Sequence, residues 1–124
     1  MKPFRTRVED VPLEQGLRAQ DGWIDMQVQF LIQDERLLVG RTVLRPGARH
    51  ERHAHPHCDE FLLVLSGAGE IYTDAGREPS TAGDVIYTPR GHWHGFDNTG
   101  DADVLLIWGW SGAGSLAAAG YELP

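Results

Sequence analysis

His53 and His55 stand two residues apart, Glu60 follows after four more, and His94 comes later in the chain. A β-strand turns residues i and i+2 to one face, so His53 and His55 project together. Glu60 opens an apolar run after the turn-like Pro56-His57-Cys58-Asp59, and such a hairpin can lay its carboxylate beside the two imidazoles. Three neutral imidazoles and one carboxylate, where a fold gathers them, suit a borderline divalent metal: Fe(II), Mn(II), Ni(II), Cu(II) or Zn(II). Four protein ligands on a six-coordinate metal leave room for a chelating substrate, or for substrate and dioxygen side by side. With zinc, the same opening could hold an activated water or polarise a carbonyl.

The other histidines read differently. His57 fits a ligand set only in a register that breaks the spacing to Glu60, so it is expected at the mouth. His50 is expected near a turn, in solvent. His92 shares strand parity with His94 and is expected at the rim. Arg41 could anchor a substrate carboxylate, but a surface position is favoured.

The elements that must position these groups are short strands. Met26, Val28, Phe30 and Ile32 alternate with other residues as in a half-buried strand. Leu37 to Leu44 reads as the next strand, ended by Pro46-Gly47. Phe61 to Leu65, Ile71 to Thr73, Val85 to Tyr87, Trp93 to Phe96 and Val104 to Trp110 follow, each bounded by turn residues. Helical periodicity is nearly absent. The one helix expected is Ser115 to Ala119, with Ser115 as cap and Gly120 as stop. Residues 1–22 read as an arm with a short strand around Phe4–Val8, and residues 111–124 as a tail.

Composition narrows the classes. With 11 Lys and Arg against 18 Asp and Glu, the net charge is −7, and no basic cluster offers a surface for nucleic acid. Cys58 is the one cysteine, so no intramolecular disulfide can form. No run approaches the ~18 apolar residues of a membrane span, and the first residues lack the apolar stretch of a signal peptide. A cytoplasmic protein of one domain, residues 1–124, is the expectation.

Two motifs run through the middle of the chain. Gly47, His53, His55, Glu60 and Gly67 form G-x5-H-x-H-x4-E-x6-G, and Gly83, Pro89, Gly91, His94 and Asn98 form G-x5-P-x-G-x2-H-x3-N. The pair resembles the two signature motifs of the cupin superfamily, with every fixed position occupied. The resemblance covers about residues 37–110. It implies an all-β, antiparallel jelly-roll barrel in one domain, and it is what places His94 beside the other three groups. It also implies one divalent transition metal per chain (Fe, Mn, Zn or Ni) on His53, His55, Glu60 and His94. Glu60 is then the catalytic candidate as well, and a homodimer is expected.

Strand parity extends the site inwards. Leu62 and Val64 share the face of Glu60, and Phe96 shares that of His94. Phe30 and Trp108 lie on inward faces of an early and a late strand. If these line the lumen, the pocket is apolar and aromatic-rich and suits a small oxygenated organic substrate that chelates the metal. The leading expectation is dioxygenase-like chemistry. A non-redox isomerase, polyketide cyclase or lyase is the second, and a non-catalytic ligand-binding module the third.

Overall fold

Alternating apolar residues broken by turns give a chain that is almost entirely strand. The computed structural model describes residues 3–14 and 23–124. In chain order the strands are β1 (Trp23–Gln33), β2 (Leu37–His53), β3 (Asp59–Ser66), β4 (Ala68–Thr73), β5 (Gly76–Thr81), β6 (Val85–Thr88), β7 (His94–Asp97) and β8 (Val104–Ser111). A single helical turn, α1 (Leu116–Ala119), comes last. The strands are ordered β5-β4-β7-β2-β8-β3-β6, with β1 on the far side of β2, and every neighbouring pair among the described residues runs antiparallel. The sheet curls on itself as the jelly roll that the motifs imply.

β2 does not stop at Pro46-Gly47, as its turn residues suggested; it continues to His53. Its first half pairs with β8 through Leu44↔Val104, and its second half pairs with β7 from Arg49↔Asp97 onward. Residues 45–48 fall in the gap between these ladders. They also fall in the register shift against β1, where Met26↔Leu44 gives way to Ile24↔Arg49. Pro46 therefore costs no ladder bond, because no partner asks for its missing N–H. Asn98 clamps the corner: its Nδ2 donates to Leu44 O at 2.9 Å, and its backbone carbonyl accepts from Gly47 N at 3.1 Å.

The core follows the even-numbered face of β2. Leu38, Gly40, Thr42 and Leu44 point inward and meet Val64, Phe96, Val104, Leu106 and Trp108. Gly40 has a packing reason: a Cβ there would lie 2.1 Å from the Trp108 ring. Only a glycine lets that indole lie on the strand opposite it. Cys58 is also buried, and desolvation first, then nearby carboxylates, pushes its thiol up to about 12.

Two terminal expectations resolve differently. The strand expected around Phe4–Val8 is absent; residues 3–7 have no regular structure and Val8–Asp10 make a turn of 3-10 helix. Here Gln29 replaces a ladder, its Nε2 donating to Val8 O at 2.9 Å and Val11 O at 2.7 Å. The rest of the arm, residues 1–2 and 15–22, lies outside the described residues. The C-terminal helix forms as expected, with Ser115 Oγ accepting from Ala118 N at 3.1 Å and Gly120 ending it at φ 76°.

Candidate metal centre

Ladder register brings the histidines together. His53, the last residue of β2, pairs directly with His94, the first of β7. His55 follows through Ala54, which bridges to Glu122. Glu60 lies on β3 opposite Trp110 of β8. The imidazole centroids of His53, His55 and His94 are 4.1–5.0 Å apart. One ring nitrogen from each falls within 4.8 Å of the others.

The orientation of each ring is fixed from behind. His53 Nδ1 lies 2.6 Å from Glu51 O, His55 Nδ1 lies 2.7 Å from Gly120 O, and His94 Nδ1 lies 3.3 Å from His92 O. A carbonyl can only accept, so each Nδ1 carries a proton, and in the neutral ring the Nε2 keeps a free lone pair. The Nε2 atoms of His53 and His55 are buried without a partner, and His94 Nε2 faces only the Glu60 carboxylate. Orphaned buried acceptors cost free energy unless something fills the space between them. A divalent cation meets that need, and backbone-tethered imidazoles are the usual form of its ligands.

Glu60 completes the arrangement on one side. Its Oε1 accepts from Trp110 Nε1 at 2.9 Å, and its Oε2 lies 3.0 Å from His94 Nε2. A carboxylate oxygen facing an imidazole lone pair needs a shared cation, either a proton or a metal. At that separation both atoms could ligate one ion, which would replace the proton between them.

Charge follows burial. Desolvation lowers His55, and lowers His53 further with the help of the neighbouring imidazoles. His94 goes the other way: burial would lower it, but the Glu60 carboxylate holds it above its ordinary value. Burial would raise Glu60, yet His94, by charge and hydrogen bond, holds it down to about 2.

The cluster caps an apolar cavity of about 50 Å³. Leu62, Phe96 and Trp108 line it, together with Leu44, Leu106 and Ile71. Phe30 stands behind this wall, edge-on to Trp108 with centroids 5.9 Å apart, and is not among the lining residues. Val64 also lies outside the lining; it pairs with Leu106 two residues deeper than Leu62 and is fully buried in the core. Arg41 points away, its guanidinium donating to Gln29 Oε1 at 3.0 Å. His57 and His92 are exposed, and His92 pairs with Asp74.

His50 is the correction. It is not a solvated turn residue: its ring stacks on His53 at 3.9 Å and lines the cavity. Burial first, then the charge of His94, pushes it down to about 3. Three residues before His53, a regular strand would turn it to the opposite face. The register shift between His50 and His53 brings it back to the same side. Tyr121, from the tail, stacks on His53 at 4.8 Å, and no motif pointed to it.

Comparison with known proteins agrees with this fold. Residues 40–110 match the Cupin domain family. The chain belongs to the cupin family. This cupin is 38% identical over 69 residues to protein SchB of Streptomyces halstedii, covering 56% of this chain and half of that one. It is 29% identical over 108 residues to polyketide synthase CurC of Streptomyces cyaneus, covering 86% of this chain and 70% of the relative. Among solved structures it resembles the polyketide cyclase RemF of Streptomyces resistomycificus, with a TM-score of 0.76 at 20% identity over 89% of this chain and 80% of that one. No helix among the described residues is long and apolar enough to cross a membrane.

Proposed function

We propose that this cupin holds one divalent transition metal on His53, His55, His94 and Glu60, and acts on a small oxygenated molecule that chelates it. The observation that carries this reading is the trio of buried, convergent Nε2 atoms at an apolar cavity, two of them without any partner and the third facing only the Glu60 carboxylate. When bound, such a metal supplies a Lewis acid for adjacent substrate oxygens. The remaining work falls to the chain's own residues. Backbone carbonyls keep the three Nε2 lone pairs available, and Trp110 holds the Glu60 carboxylate in place by its indole N–H. The floor of Leu44, Leu62, Phe96, Leu106 and Trp108 excludes water and takes the carbon part of the substrate.

Cavity chemistry supports a substrate class. Among the described residues no Lys or Arg lines the cavity, so a small dianion would find no second cation there. An enolisable, singly ionised group such as a β-dicarbonyl suits it better. A water needs roughly 10–15 Å³ by this measure, so about 50 Å³ admits the reacting end of a molecule and not several rings. The likeness to CurC and RemF supports ring closure or isomerisation without net redox over dioxygenation. Association of two copies through the outer face of β3 and β6 belongs to the same reading. Phe61, Leu65, Val85 and Tyr87 stand exposed there, and the mass in solution tests it.

The experiment is metal analysis of protein purified without chelator, then turnover of a β-dicarbonyl panel with oxygen uptake recorded. We expect one metal per chain and product without oxygen consumption. Product coupled to oxygen uptake would make the enzyme a dioxygenase, and binding without turnover would make it a ligand-binding module. Full metal content in a His53→Ala/His94→Ala variant would overturn the ligand set.

A further inference from the structure

The segment after α1 crosses the histidine end of the barrel and is joined to it at several points. Ala54 and Glu122 exchange two backbone hydrogen bonds of 2.9 Å, and His57 N donates to Ala119 O at 3.1 Å. Between these fixed points lie Gly120 and Tyr121. Gly120 O takes the His55 Nδ1–H at 2.7 Å. Tyr121 lays its ring nearly parallel to His53, 12° from coplanar with centroids 4.8 Å apart, and its hydroxyl reaches His50 Nε2 at 3.3 Å. Gly120 is held in the left-handed region at φ 76°, and a Cβ there would lie 2.7 Å from the Pro56 ring. The carbonyl thus points at His55 only because a glycine can sit against Pro56 in that conformation.

We propose that Gly120–Glu122 is a positioning strap for the two histidines of the first motif, with the Gly120 carbonyl and the Tyr121 ring as its working parts. A neutral imidazole carries its proton on either nitrogen, and the partner of one nitrogen decides which. The Gly120 carbonyl selects the Nδ1–H form of His55 and leaves Nε2 to bind. The Tyr121 ring lies along one face of His53 and limits its rotation. Glu51 O restrains the same ring only through Nδ1. This assignment rests on the metal-binding reading above and deepens it, because β8 packs the Trp110 ring on His55 while the acceptor for its Nδ1 comes from the tail.

The test is cobalt(II) titration of metal-free protein, with the visible absorption band as a report on ligand geometry and thermal melting as a report on folding. Wild type, a chain ending at Ala119, and the full-length variants Gly120→Val, Tyr121→Leu and Tyr121→Phe are compared. The shortened chain and Gly120→Val should bind cobalt about 10–100-fold more weakly with a shifted band, as happens when the partner behind a ligand is lost. Tyr121→Leu should weaken binding less, and Tyr121→Phe should restore both affinity and spectrum. Wild-type affinity and band in the folded shortened chain would overturn the strap; if that chain does not fold, the same result in Gly120→Val would do so. Equal losses in Tyr121→Phe and Tyr121→Leu would overturn the role given to the ring. Wild type that takes up no cobalt would remove the metal reading itself and the strap with it.

Discussion

The two halves of the histidine cluster are held by different parts of the chain. His94 and Glu60 sit on β7 and β3, face each other at 3.0 Å, and are steadied by Trp110 from the neighbouring β8. His53 and His55 lean on Glu51 O at the end of β2 and, from the tail, on Gly120 O and the Tyr121 ring. In one half an imidazole and a carboxylate favour each other's charge; in the other, burial disfavours charge and the tail supplies part of the support. Two architectures therefore converge on one site, and they should respond differently to mutation and to acidity.

The largest effect should come from separating the charged half. In metal-free protein, His94→Ala leaves the buried Glu60 carboxylate without its partner and should cost about 3–5 kcal/mol in urea unfolding. His55→Ala removes a neutral group that makes one backbone hydrogen bond and should cost about 1–3 kcal/mol. Equal losses would erase the distinction between the halves.

Acidity should then separate them by sign. The folded-state values of His53 and His55 lie below 6.5, so the unfolded chain takes up those protons first. Their contribution is full above pH 6.5 and falls away as the pH drops below it. His94 is raised, so its contribution is full below pH 6.5 and is lost as the pH climbs through its folded value. Glu60 contributes above pH 4.5 and loses its contribution as the pH falls toward about 2. Urea midpoints of metal-free protein against pH should show less acid loss in His55→Asn and less alkaline loss in His94→Asn. The same change in both variants would count against the assignment of opposite signs.

The smallest effect should come from the rim. His92 is exposed and pairs with the exposed Asp74, while its backbone carbonyl is what His94 uses. His92→Ala should leave metal content and melting temperature unchanged, as exposed pairs often contribute nothing measurable. A loss of metal would place His92 in the site.

Much of this was legible because the chemistry and the period coincide. His53 and His55 share a face by strand parity, and Ser115 and Gly120 mark a helix that forms between them. What was not legible depends on contacts between distant residues. Pro46-Gly47 reads as a stop, yet β2 runs on because the corner needs no partner there and Asn98 clamps it. β5 was missed because Arg77, Glu78 and Pro79 carry little strand propensity; pairing with β4 alone makes it an edge strand, where proline is tolerated. His50 joins the cluster through a register shift that no local pattern announces. Tyr121 joins it from the far end of the sequence.

The single strand β2 ties both ladders of the barrel together, pairing with β8 by its first half and β7 by its second. Neither ladder can therefore come apart as a separate cooperative unit while β2 remains in register. His53, at the very end of that strand, inherits the protection of the whole fold. The tail that supports His55 shares no such strand and is tied to the barrel end by three backbone hydrogen bonds, which makes it the less costly part to open. The molecule thus has a natural order of release, in which the support of one imidazole can loosen without the barrel itself opening.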